Sequence, residues 1–156
     1  MSEYLKVSKN CARNANQGCM ASSVKFLNGS TPGGYFPVTD ANTMAYKMIL
    51  ADGTGLAIQV ASGAIYMTVD IDGPRKGSST IGKDWFGFVY DNGGGTENQK
   101  QKLIPSKTPN LSSAFVTGAG LTAWVIETGN MDYLKAVNGT CKKNNKKLDW
   151  TNTTCN

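Results

Sequence analysis

Asp70, Asp72 and Asp84 bracket the turn VDIDGPRKGSSTIGKD. Two carboxylates at a strand end, a glycine that lets the chain bend, and a third aspartate returning at the next strand could surround Ca²⁺ with hard oxygen ligands. The spacing is not that of an EF-hand, because no third acid follows Asp72-Gly73 and the twelfth loop position is Ile81. The competing reading has Asp70 and Asp72 facing water or capping the turn, Asp84 capping the following strand, and Lys76 and Lys83 as their surface partners. Other chemistry is scarce. The chain contains no histidine, which removes imidazole bases, Ser-His and Cys-His nucleophile pairs and the commonest transition-metal ligand. Ser78, Ser79, Ser112 and Ser113 lack a nucleophile-elbow context, and Gly93–Gly95 is not followed by Gly-Lys-Ser/Thr. The expectation is a protein without catalytic residues.

The four cysteines fall into two close pairs, Cys11 with Cys19 and Cys141 with Cys155. Nothing has the Cys-x-x-Cys spacing of zinc or redox sites, so a disulfide framework made in an oxidising compartment is expected. Three connectivities are open, and the two local ones are favoured. A Cys141–Cys155 bridge would enclose KKNNKKLDWTNTT, which has no apolar periodicity of its own. The net charge is +5, and from Asn130 to Asn156 five lysines face two aspartates. Lys142, Lys143, Lys146 and Lys147, with Trp150 beside them, form either a solvated loop or a surface for DNA or another anionic partner. Four Asn-x-Ser/Thr sequons occur, at Asn28, Asn110, Asn138 and Asn152.

These residues need a scaffold, and 156 residues suit one domain spanning 1–156. Tyr4, Val7, Cys11 and Ala15 follow the spacing of one helical face, with Asn16, Gln17 and Gly18 as the stop, so the opening segment is expected to be a short helix. Met20–Leu27 could continue it, before the turn-rich Asn28–Gly34. Thr43–Leu50, Gly55–Ala61, Ala64–Asp70 and Trp85–Tyr90 are rich in branched and aromatic residues and read as an antiparallel meander, with turns at Asp52-Gly53 and Ser62-Gly63. An edge strand is expected at Gln101–Ile104 and a short second helix at Thr117–Thr128, ended by Gly129. Trp124 belongs in the core, Phe86 and Phe88 should pack on the first helix, and Trp150 should be exposed. The fold class expected is α+β: an N-terminal helix packed on an antiparallel β-meander, a short second helix and a disulfide-bounded C-terminal loop. No run of eighteen apolar residues occurs.

VDIDGPRKGSSTIGKDWFGFVYDNG resembles the segment of type IV pilin-like proteins that runs Val-Asp-Ile-Asn-Gly, then Lys-Gly, then Gly-Lys-Asp before an aromatic strand. LTAWVIETGNMDYLK is similar to the segment that follows it, and the resemblance spans Tyr4 to Lys135. The Cys141–Cys155 loop is similar to the disulfide-bounded region that closes many pilins. The resemblance implies the soluble head of a pilin or type II secretion pseudopilin, with the N-terminal hydrophobic helix absent and Met1 added at the start of a fragment. It departs from the family at Asp72, where relatives have Asn, and at Ser78-Ser79, where they have Pro-Asn. The implied function is structural: a subunit that meets other copies of itself and related pilins through the absent helix, membrane-anchored before assembly, then part of an extracellular filament or a periplasmic pseudopilus. No cofactor is required, with Ca²⁺ as the one ion the acidic turn suggests. The alternative is a minor pilin that binds DNA or anionic surfaces through its Lys-rich loop.

Overall fold

The computed structural model describes residues 6–32, 38–61, 64–91, 102–107 and 110–156. Its centre is an antiparallel sheet built from β1 (Val7–Ala12), β3 (Tyr46–Leu50), β4 (Gly55–Ala61), β5 (Ala64–Asp70), β7 (Trp85–Asp91) and β8 (Lys102–Pro105), in the order β1-β3-β4-β5-β7-β8. The meander from β3 to β7 forms as the residue types anticipate. The β3–β4 turn closes at Gly53, whose φ of 90° suits glycine and whose N–H donates to Leu50 O at 2.9 Å. Ser62-Gly63 and Gly93–Gly95 lie outside the described residues. The expected edge strand is present one residue later, as β8 at the sheet margin.

The N-terminal helix is not there: the fold is mostly antiparallel sheet, and Val7–Ala12 is an edge strand paired with β3. Of the helical spacing Tyr4, Val7, Cys11 and Ala15, Tyr4 lies outside the described residues and the others do not mark a buried face, since Val7 is 47% exposed and Cys11 alone in the strand is buried. Backbone pairing with β3 and the Cys11–Cys19 bridge decide the conformation, which tertiary contacts can impose over a weak local preference. Phe86 and Phe88 therefore have no such helix to pack on. Met20–Leu27 is not helical either. It holds β2 (Ser23–Lys25), which runs parallel to β6 (Ser78–Thr80), the strand that follows a 3-10 turn at Gly73–Lys76.

The helix expected at Thr117–Thr128 begins later, as α2 (Leu121–Thr128), and a helix that was not expected, α1 (Leu111–Thr117), precedes it across Gly118–Gly120. The signal for α1 was readable: Asn110 accepts a hydrogen bond from Ser113 N–H at 3.1 Å as an N-cap, and Leu111, Ala114 and Phe115 then share one face. Gly129 ends α2 with φ 67°, as anticipated. α2 abuts the outer edge of β7 where β8 stops, because Gly87 N–H donates to Thr122 Oγ1 at 3.1 Å and Ala123 N–H to Ser106 O at 3.1 Å.

The helices, a 3-10 turn at Asp132–Lys135 and the small hairpin of β9 (Ala136–Val137) and β10 (Thr140–Cys141) close around Phe115, Leu121, Trp124, Tyr133 and Leu148. Phe115 and Trp124 meet edge to face at 5.3 Å between centroids, a favoured aromatic geometry. Tyr133 hydroxyl donates to Gly82 O, tying this lobe to the end of β6. Gly118 makes the same junction by backbone contact. A Cβ there would lie 1.8 Å from Ile81 O, and its φ is 81°. Gly118→Ala is expected to cost about 3 kcal/mol or more from strain and clash together, read as a lowered denaturant midpoint with unchanged m-value. A midpoint equal to the parent's would contradict the close approach.

Candidate functional site

Strand alternation gives the sheet two unlike faces. One carries Lys47, Ala57, Gln59, Thr68, Asp70 and Trp85, aligned across the sheet by the pairs Lys47 with Ala57, Ala57 with Thr68 and Asp70 with Trp85. All six are buried. Much of the cover is the long connection between β1 and β3, which places Met20, Val38 and Ala45 against Ala57, while Val24 and Ile81 pack on Trp85.

That cover is held by carboxylates. Asp40 accepts hydrogen bonds from the backbone N–H groups of Gly18 at 2.7 Å, Cys19 at 2.9 Å and Met20 at 3.3 Å. The next residue, Ala21, donates to Asp70 Oδ2 at 3.0 Å, and Ser79 Oγ donates to Asp70 Oδ1 at 2.8 Å. Lys47, fully buried, donates from Nζ to Asp40 O. Burial opposes the Asp40 charge, but the three N–H donors and the Lys47 cation outweigh it and hold its pKa below 3.8. Burial also lowers the pKa of Lys47, against the pull of Asp40. For Asp70 burial dominates over its donors and, with the nearby Asp84 charge, raises the pKa. Neither Asp40 nor Lys47 stands out in the sequence, because nothing local marks an aspartate whose partners lie about twenty residues away.

The three aspartates of the acidic turn are used separately. Asp70 is fully buried and clamps Ala21 and Ser79. Asp84 caps the turn by accepting from Thr80 N–H, and Asp72 pairs with Lys76. Among the described residues no group of three or more acids or cysteines is gathered closely enough to hold a metal ion. The sequence alternative, in which these acids cap the turn and Lys76 serves as a partner, describes the arrangement for Asp72 and Asp84, whereas Asp70 faces neither water nor the turn alone.

Both local disulfides form, Cys11–Cys19 and Cys141–Cys155. Cys141 and Cys155 are buried against the Trp124 cluster, and Asp132 accepts from Cys155 N–H at 2.8 Å, so the Lys-rich loop is pinned at both ends. Lys142, Lys143, Lys146 and Lys147 are all exposed. Trp150 is 37% exposed, stands 5.2 Å from Trp124 between ring centroids, and has Lys107 Nζ 4.6 Å over its ring, within cation–π range.

The other sheet face is apolar throughout the meander. Tyr46 and Met48 align with Ile58 and Leu56, these with Met67 and Val69, and these with Phe88 and Phe86, while Ile65 aligns with Tyr90 and, at the margin, Leu103. Leu56 and Phe86 are buried by their neighbours, but most are half-buried, and Val60 is 65% exposed. The Met20 and Val24 clusters lie on the opposite face, and among the described residues no helix is long and apolar enough to cross a membrane.

Because the folded pKa of Asp40 is depressed, its contribution is complete above 3.8 and is lost as pH falls through the folded value. Asp40→Asn is expected to cost about 2 kcal/mol at neutral pH by weakening charge-assisted bonds to three N–H groups. The gap between parent and variant should close on acidification when both are unfolded by denaturant across the acid range. A gap that persists undiminished at the lowest pH would show that the charge of Asp40 is not what holds the segment.

No protein-family model, no curated protein and no solved structure matches this chain.

Proposed function

We propose that this chain is a structural subunit of a type IV pilin-like or type II secretion-like filament, working outside the cytoplasm and without catalysis. The observation that carries the reading is the apolar sheet face running from Tyr46 to Leu103. An area of this size left in water is unusual for a protein that works alone, and it marks a surface that another element covers. In a filament the occupant is an apolar helix of the filament core. The two disulfides support the same reading, since they persist in oxidising compartments and protect a small domain there.

Val60→Glu and Met67→Glu place a carboxylate on this face. The isolated domain should barely respond at Val60, which is 65% exposed, with a change within about 0.5 kcal/mol. Filament incorporation should be lost, because a charge buried beneath an apolar helix has no partner. Wild-type levels of both variants in sheared filaments would overturn the reading.

A second reading, a binding module for DNA or another anionic surface, is favoured by the Lys-rich loop. Its four lysines are exposed, and none has a carboxylate within 4.0 Å among the described residues. On this reading retention on DNA falls steeply with salt, and replacing Lys142, Lys143, Lys146 and Lys147 by Ala reduces the slope of log K against log salt by about 0.9 for each lysine that meets a phosphate. An unchanged slope, or no retention of the parent at low salt, would exclude it.

A further inference from the structure

A cavity of about 340 Å³ opens on the sheet face that carries Gln59 and Thr68 and is lined by Gln59, Ala61, Tyr66, Gly87, Phe88, Val89 and Ser106. The space exists because the residues around it are small. Ala61 and Gly87 leave no bulk on β4 and β7, and Ser106 stands where β8 has ended. Its volume is that of a pocket for a single small ring rather than a polymer groove.

Gln59 is the residue that needs explaining. It is 7% exposed and no hydrogen bond to its carboxamide is formed among the described residues; since Trp124 Nε1 is the one wholly buried side-chain polar atom among them without a partner, the Gln59 carboxamide retains contact with solvent. The surrounding backbone cannot help, because Gly87 N–H is given to Thr122 Oγ1 at 3.1 Å and Gly87 O accepts from Ser106 N–H at 2.9 Å. The carboxamide thus keeps one acceptor and two donors for whatever enters the cavity.

We propose that this cavity binds a small neutral ring compound carrying an acetamido group, the class to which N-acetylated sugars belong. Among the described residues no carboxylate, amine or guanidinium lines it, so a charged ligand would lose its hydration without a counter-ion from them. An amide is the natural complement of a carboxamide, since donor meets acceptor in both directions. The acetamido methyl then lies against Ala61 and Val89, and the ring against Tyr66, which stands beside Gln59 across the β4–β5 pair. The site does not rest on the filament reading, for its strand residues other than Phe88 lie on the opposite face of the sheet from the apolar field.

The test is a titration of the uniformly ¹⁵N-labelled full chain with N-acetylglucosamine, with glucose as the control lacking the acetamido group. Saturable shifts are expected at the amides of Gln59, Tyr66 and Val89 with the first sugar and not with the second. Gln59→Met keeps the length of the side chain and removes its hydrogen bonding. It should leave the melting temperature nearly unchanged, because no hydrogen bond formed among the described residues is removed, and weaken binding at least tenfold. Ala61→Leu fills the cavity from its wall and should abolish the shifts. The proposal fails if N-acetylglucosamine moves no residue of the cavity, if glucose moves the same residues as strongly, or if either variant binds as the parent does.

Discussion

Four consecutive backbone N–H groups, from Gly18 to Ala21, all donate to two buried carboxylates, those of Asp40 and Asp70. This is the constraint on which the covered face depends. The connection between β1 and β3 has little regular structure to satisfy its own backbone, and a buried irregular segment must find partners elsewhere. Asp40 supplies them from within the connection and Asp70 from the sheet, and the Cys11–Cys19 bridge fixes the start of the same stretch to the edge strand. Because Met20 and Ala21 are seated by their own backbone bonds, their side chains close over Ala57 and the sheet end without a helix.

Asp40 and Asp70 do this with opposite electrostatic balances. Asp40 gathers three donors and a nearby Lys47, which more than compensate for burial, so ionisation favours folding. At Asp70 burial outweighs the donors, the like charge of Asp84 adds to it, and no cation among the described residues is close enough to offset them, so its ionised form is held at a cost. The fold tolerates that cost because Asp70 joins three segments at one point: β5, the connection at Ala21 and β6 at Ser79. In the acidic turn each aspartate has its own protein partner.

The C-terminal lobe reaches its shape by different means. Its aromatic cluster is local in sequence, Phe115 to Leu148, and the Cys141–Cys155 bridge closes on it directly. Buried apolar anchors at both ends allow the intervening residues to be almost wholly polar, which leaves four lysines in water and Trp150 on the rim. The two sheet faces are similarly divided. The covered face mixes polar and small residues, whereas the opposite face is apolar and for the most part half-buried.

The sequence by itself determined the β3–β7 meander, the Asp52-Gly53 turn, both disulfide pairings, the end of α2 at Gly129, the burial of Trp124 and the exposure of Trp150. All of these follow from alternation, turn chemistry or proximity along the chain, which are local properties. Tertiary structure decided the rest. Val7–Ala12 became a strand because β3 offered its backbone an edge to pair with, and a three-point helical spacing was too weak to resist it. The helix expected from Thr117 starts only at Leu121, and α1 ends at Thr117, because Gly118 had to approach Ile81 more closely than any side chain permits. Asp40, Lys47 and Gln59 were invisible in the sequence, since the burial that gives each its significance comes from residues brought together only when the sheet is covered.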